Sequence, residues 1–289
     1  MKWPDDATDW PMREYSQHIL CRPHRWHIQR AGNGPRLLLI HGAGGATQSW
    51  RNLYPLLEPF FELLAVDLPG QGFTRSGAQS RHGLDPMAED LLSLLHDIDF
   101  EPDAIIGHSA GTAIALRMVE MECSAKSVLG INAALGNFEG VAGWLFPFLA
   151  KALALTPFAA NVFATTTTRS SVRQLLIGTG SKIDERGEDL YYRLATNPEH
   201  VDGTLSMMAQ WSLDGLLKRL GTITTDTHLL ACTIDNAVPF SVSERADARL
   251  PNSSLTKMDG LGHLAHEEDA ETVANWIFEK LQTKNAAAG

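Results

Sequence analysis

The chain has 289 residues, 44% of them hydrophobic and 20% charged, enough for a large core in one α/β domain with an inserted subdomain, or in two domains. Its formal charge of −10 disfavours nucleic acid and anionic membranes as partners. Its three cysteines, Cys21, Cys123 and Cys232, form no Cys-x-x-Cys pair and read as reduced thiols, against a disulfide framework or a zinc site.

The polar, acidic start Met1-Lys2-Trp3-Pro4-Asp5-Asp6 lacks the basic and apolar regions of a secretory signal, so a cytoplasmic protein is expected. Trp26 to Arg30 reads as a strand, ended by the turn Gly32-Asn33-Gly34-Pro35. Leu37 to Ile40 is a continuous apolar run, as in a strand buried on both faces. A helix is expected over Trp50 to Leu57, a strand over Glu62 to Val66, and a helix over Met87 to Ile98. Ala104 to Ile106 and Ser127 to Ile131 read as strands, with a helical pattern from Thr112 to Met121 between them. From Asn132 to about Leu220 the pattern is helical with no clear strand, and Thr165 to Thr168 reads as a turn. Strands resume at His228 to Thr233 and Ser254 to Met258, and Ala270 to Leu281 closes the chain as a helix.

Alternating strands and helices predict a mostly parallel sheet covered on both faces. The helical insert predicts a cap over the strand ends, where open α/β sheets bind ligands. The expected division is a core of 1–131 and 221–289 with a helical cap of 132–220. Gly140 to Ala164 is nearly free of charge, but Lys151, Pro147, Pro157 and Asn161 interrupt it, and it falls short of a clean membrane span. It reads as a cap helix with an apolar underside, or else as a surface for lipid or an apolar partner.

Gly107-His108-Ser109-Ala110-Gly111 is a Gly-x-Ser-x-Gly string between a strand and a helix, the context of a nucleophile elbow. The small residues two before and two after the serine relieve a tight turn. That turn aims both the Ser109 hydroxyl and the Ala110 amide above the strand ends. A serine hydroxyl needs a base, and the base needs an orienting acid, here in the order serine, acid, histidine. His263, directly after the last strand, fits the base. His266, three residues on, reads as packing or capping, and Glu267, Glu268 and Asp269 read as the first turn of the closing helix. Asp235 follows the Thr233 strand end and fits the acid, whereas Asp226 precedes that strand and Asp259 crowds the base. The run His41-Gly42-Ala43-Gly44-Gly45 follows the Leu37 to Ile40 strand and offers a second oxyanion amide, from Ala43 or, less well placed, Gly44. No Lys-Ser/Thr follows, so it is not a phosphate loop. His41 and His108 read as loop-bonding residues. Asp67-Leu68-Pro69-Gly70-Gln71-Gly72-Phe73-Thr74-Arg75-Ser76 reads as structure. The absence of His-Glu-x-x-His and of clustered ligand residues points away from a metal-dependent hydrolase, and no cofactor is expected.

These ordered motifs, from about Trp26 to Leu281, resemble the α/β-hydrolase superfamily, with Cys232 standing where that family usually carries glycine. The segments Arg25-Trp26-His27-Ile28-Gln29-Arg30, Gly72-Phe73-Thr74-Arg75, Gly107 to Met118 and Met207-Met208-Ala209-Gln210-Trp211 are similar to the magnesium-chelatase accessory hydrolases of bacteriochlorophyll biosynthesis. The first resemblance implies a serine hydrolase of a carboxyl ester or related acyl compound. The second implies work near tetrapyrrole intermediates and magnesium chelatase subunits as partners. A non-catalytic accessory protein that binds a porphyrin or those subunits is the alternative reading.

Overall fold

The structure, a computed structural model, describes residues 1–136 and 158–282. Eight strands form one sheet: β1 (Ser16–Cys21), β2 (His24–Ala31), β3 (Arg36–Ile40), β4 (Glu62–Val66), β5 (Ala104–His108), β6 (Ser127–Ile131), β7 (Asp226–Cys232) and β8 (Ser253–Met258). Their spatial order is β1-β2-β4-β3-β5-β6-β7-β8. The β1–β2 and β2–β4 pairs are antiparallel, and every pair from β4 to β8 is parallel. This is the α/β-hydrolase sheet.

Successive residues of a strand point to opposite faces, so an unbroken apolar run feeds two cores. Leu38, Ile40, Leu64, Val66 and Ile105 join one cluster, with Met87 and Leu91 of α2 (Leu84–Asp97) and Ile114 and Leu116 of α3 (Ala110–Glu120). Leu37, Leu39, Leu63, Ala65 and Ile106 join the other, with Trp50, Tyr54, and Val273 and Ile277 of the closing helix (Ala270–Lys280).

Several elements differ from the sequence reading. The helix expected over Trp50 to Leu57 divides into a 3-10 turn, Thr47–Trp50, and a four-residue helix α1, Tyr54–Leu57. Pro55 lacks the amide that would bond back to Arg51, so a single helix is interrupted there. β1 is an antiparallel edge strand of mixed burial, with Leu20 74% exposed, and it lacks the apolar alternation that flags a strand. Of the four threonines, Thr165 and Thr166 lie inside a helix, and the turn is made by Thr167 and Thr168.

Between β6 and β7 the described residues hold five helices: α4 (Ala159–Thr166), α5 (Arg169–Gly178), α6 (Glu185–Ala195), α7 (Pro198–Gln210) and α8 (Asp214–Arg219). Most of the apolar stretch from Gly140 to Ala164, including Trp144 to Phe148, lies outside the described residues. After β7 come α9 (Phe240–Asp247), β8, the short helix α10 (Ala265–Glu268) and the closing helix α11 (Ala270–Lys280). No helix among the described residues is long and apolar enough to cross a membrane.

Candidate active site

β5 runs straight into Ser109, whose backbone sits at φ 52°, ψ −116°, immediately before α3. A non-glycine residue there is strained and must be held by its surroundings. The Ser109 amide donates to the Ile131 carbonyl at 2.9 Å, and the Ser109 carbonyl accepts from the amides of Ala134 and Thr112, each at 3.1 Å. The neighbouring glycines have no room for a side chain. A Cβ at Gly107 would lie 2.5 Å from the Thr112 nitrogen, and one at Gly111 would lie 2.1 Å from the Ile40 carbonyl oxygen. The small-residue spacing therefore reflects helix α3 pressing directly on β3 and on its own turn.

Asp235 and His263 meet across two loops that follow β7 and β8. The His263 Nδ1–H donates to Asp235 Oδ2 at 2.7 Å. Asp235 is 6% exposed, and its other oxygen accepts from the Ala237 and Val238 amides, both at 2.8 Å. Such local side-chain bonds are how an aspartate shapes a turn. With the Nδ1 proton committed, the lone pair of His263 is left on Nε2. Among the described residues the Ser109 hydroxyl makes no hydrogen bond; serine–histidine contacts in ligand-free sites are often long and tighten with substrate.

The loop after β3 lies against the elbow. A Cβ at Gly42 would stand 3.1 Å from Ser109 Cβ and 2.9 Å from His108 Nδ1. The Gly44 amide donates to Gln71 Oε1 at 2.8 Å, whereas the Ala43 amide has no partner among the described residues. Ala110 is the first residue of α3, so its amide has no carbonyl to bond within the helix. These are the two amides expected from the sequence as an oxyanion pair, and of the Ala43/Gly44 alternatives it is Gly44 that is already engaged.

The loops are held together by His108, expected from the sequence as a loop-bonding residue, and by residues such as Asn132 that carry no sequence signal. Asn132, at the end of β6 with φ 47°, donates from its side-chain amide to the carbonyls of Gly262 and His263, each at 2.9 Å. Its oxygen accepts from the Cys232 amide at 2.9 Å. His108 donates from Nε2 to the His263 carbonyl at 2.9 Å. The Leu264 amide donates to Ser181 Oγ at 2.8 Å, and the Asn236 amide donates to the Thr179 carbonyl at 3.1 Å, so the α5–α6 connection touches both the acid loop and the histidine loop. Burial, with His266 and His263 beside it, holds the His108 imidazole well below its ordinary pKa. The Cys232 thiol is pushed up to about 12, chiefly by burial, which leaves it an inert packing group.

Glu267 and Glu268 fall in α10 and take no part in the closing helix, and of the three acids only Asp269 stands at its start. That helix is capped by Asp269, which accepts from the Thr272 amide at 3.0 Å. Glu267 is buried and pairs with Arg51 and with the Tyr191 hydroxyl of α6 at 2.7 Å. Glu268 accepts from the Gly262 and Lys182 amides, each at 3.0 Å. Glu267 is thus held by charge-assisted side-chain bonds and Glu268 by two loop amides. His266 packs between Trp50 and His108, with ring centroids 4.8 and 4.5 Å away. Asp226 is exposed, and Asp259 pairs with Lys257 at 3.2 Å, both away from the site.

A second serine–histidine–aspartate series is present. Asp67 Oδ2 accepts from His27 Nδ1 at 2.7 Å, and His27 Nε2 faces Ser16 Oγ at 3.0 Å. Asp67 also accepts from the Thr47 and Phe73 amides at 2.7 and 2.8 Å. Ser16 lies at φ −72°, ψ 133° in β1, with no helix N-terminus behind it, so this series ties loops together without an elbow. Among the described residues no group of histidine, cysteine and acidic side chains is arranged to hold a metal ion.

Residues 37–276 match the Alpha/beta hydrolase family. Over 95% of this chain and 97% of its own, the Magnesium-chelatase 30 kDa subunit of Rhodobacter capsulatus is 43% identical. The Pimeloyl-[acyl-carrier protein] methyl ester esterase of Nitrosospira multiformis is 27% identical over 67% of this chain and 75% of its own. Among solved structures, the epoxide hydrolase CorEH superposes with a TM-score of 0.78 at 18% identity, over 91% of this chain and 97% of that one, a likeness of fold.

Proposed function

The chain belongs to the alpha/beta hydrolase family, and on that premise we propose that it is a serine hydrolase of a carboxyl ester or related acyl compound. The observation that carries this reading is the strained Ser109 elbow, whose His108 bonds the carbonyl of His263 at 2.9 Å, together with the Asp235–His263 pair bonded at 2.7 Å. Ser109 Oγ attacks the acyl carbon while its proton passes to His263 Nε2. The developing oxyanion is met by the amides of Ala43 and Ala110, and Asp235 keeps the imidazole in the tautomer that accepts at Nε2. Collapse breaks the bond to the leaving group, which takes the proton from His263. Water then attacks the acyl-enzyme, its proton passing through His263 to Ser109 as the acid departs. Aspartate-nucleophile chemistry, as in epoxide hydrolysis of related proteins, is disfavoured by a serine at the elbow.

In this reading residues 132–220 form a cap over a core of 1–131 and 221–289, and the cap selects the acyl group. The likeness to a magnesium-chelatase subunit supports placing the reaction beside magnesium-tetrapyrrole synthesis. The same likeness favours one second reading, an accessory protein that binds a porphyrin or chelatase subunits and leaves the triad unused. The two separate experimentally. Ser109→Ala abolishes ester and thioester turnover in a folded protein if the first holds. Saturable quenching of tryptophan fluorescence by protoporphyrin, equal in both proteins and without turnover in either, favours the second.

A further inference from the structure

The loop that carries the Ala43 amide is pinned one peptide plane at a time. The Gly42 carbonyl accepts from His41 Nδ1 at 2.7 Å and from the Gly45 amide at 3.1 Å. Carbonyl and amide point opposite ways across a trans peptide, so this turns the Ala43 N–H outward. The next plane is held by the Gly44 amide, which donates to Gln71 Oε1 at 2.8 Å. The plane after that is held by the Gly44 carbonyl, which faces His200 Nε2 at 3.2 Å. Gly44 itself sits at φ 77°, the left-handed third position of the turn that the Gly45 amide closes on the Gly42 carbonyl, and its two outward-facing polar groups are held from outside that turn.

The two outer anchors come from elsewhere in the chain and are themselves locked. His200 lies on α7, 3% exposed, and accepts at Nδ1 from the Gly72 amide at 3.0 Å. Its proton must then sit on Nε2, where it donates to Gly44. Burial lowers its pKa to about 3, so it stays neutral and the tautomer is kept. Gln71 is fully buried, with its amide directed at Met207 Sδ, 3.3 Å away on the same helix. Helix α7 reaches this close because Gly203 lies on Gly70; a Cβ at Gly203 would stand 2.2 Å from the Gly70 oxygen.

We propose that Gln71 and His200 are positioning residues that set the Ala43 amide through the two sides of Gly44, so that helix α7 holds one half of the oxyanion hole. This rests on the serine-hydrolase reading. It assigns to a helix of the β6–β7 insert a part in the chemical step, separate from any part in choosing substrate.

The test is the rate of Ser109 labelling by an alkyl fluorophosphonate, followed by intact mass and resolved into a binding constant and a maximal rate. His200→Asn keeps an acceptor for the Gly72 amide and falls short of Gly44. His200→Gln reaches Gly44 and gives up the Gly72 contact. The inference predicts a maximal rate about tenfold or more lower for His200→Asn and for Gln71→Leu, with unchanged binding, since removing an oxyanion donor outright costs roughly 100- to 1,000-fold. It predicts recovery in His200→Gln and in Gln71→Glu, whose carboxylate still accepts from Gly44. Wild-type labelling at Ser109 with equal maximal rates in all four variants overturns the inference and leaves the hydrolase reading standing. Absence of labelling in the wild type overturns both. If Gln71→Leu does not fold, the His200→Asn and His200→Gln pair decides, and equal rates in that pair overturn the inference.

Discussion

The side-chain amide of Asn132 reaches 131 residues along the chain to bond the carbonyl of His263 at 2.9 Å. The same side chain bonds Gly262 and Cys232, so one residue joins the ends of β6 and β7 to the loop that carries the proposed base. Asn132→Ala leaves the buried Cys232 amide and the Gly262 carbonyl short of a partner, takes one of two donors from the His263 carbonyl, and places a Cβ-bearing residue without a side-chain anchor at φ 47°. Unfolding in urea is expected to show a loss of about 2–4 kcal/mol. Asn132→Gly, which tolerates that φ, is expected to lose less. Equal losses in the two variants would mean that backbone conformation plays no part.

Asp235→Asn keeps an oxygen for the Ala237 and Val238 amides and removes the charge facing His263. The imidazole is then free to take the wrong tautomer, and kcat is expected to fall by about 1,000- to 10,000-fold in a protein that melts normally. Activity within a factor of a few of wild type would show that Asp235 is not the orienting acid.

His266 is fully buried and neither ring nitrogen has a hydrogen-bond partner among the described residues. Burial first, then the neighbouring His263 and Arg51, bring its pKa down to about 3. A folded pKa below the unfolded one gives stability that is present above about pH 6.5 and lost as pH falls toward the folded value. His200, held to about 3, and His108, held well below its ordinary value, add to the same acid loss. Each contributes at most about 1.4 kcal/mol per pH unit. His266→Phe keeps the ring between Trp50 and His108 and removes one of these protons. It is expected to be neutral or stabilising at pH 7 and to flatten the decline toward pH 5 in denaturant titrations. A loss above about 1 kcal/mol at both pH values would show that the imidazole is bonded and needed.

Ser16 has a histidine backed by an aspartate, the arrangement proposed for Ser109, yet sits in an ordinary strand conformation. Ser16→Ala is therefore expected to leave ester turnover unchanged and to cost about 1 kcal/mol of stability through the His27 contact. A large drop in turnover at unchanged stability would contradict the distinction drawn from the elbow.

The central parallel strands were legible because burial on both faces writes a largely apolar run, and β4 and β6 have the bounds expected from the sequence. The elbow, the late histidine and the acid after β7 were legible because strand ends carry loops of fixed chemistry. The edge strand β1 wrote no such pattern, since only one of its six residues is buried. Pro55 was the visible sign that Trp50 to Leu57 would not be one helix. Asn132, Gln71 and His200 act through partners far along the chain, and no local spacing marks them. Glu267 and Glu268 have the composition of a first helical turn, and only the fold brings Arg51 and the Gly262 amide to them.

Ser109 is proposed to be an activated nucleophile beside a formed oxyanion hole. Intact-mass measurement after exposure to a fluorophosphonate, with peptide mapping and Ser109→Ala as control, is the decisive experiment. One adduct per chain is expected, on Ser109, and none in the Ser109→Ala protein. Well-folded protein that takes up no adduct, or takes it up on another residue, would contradict it.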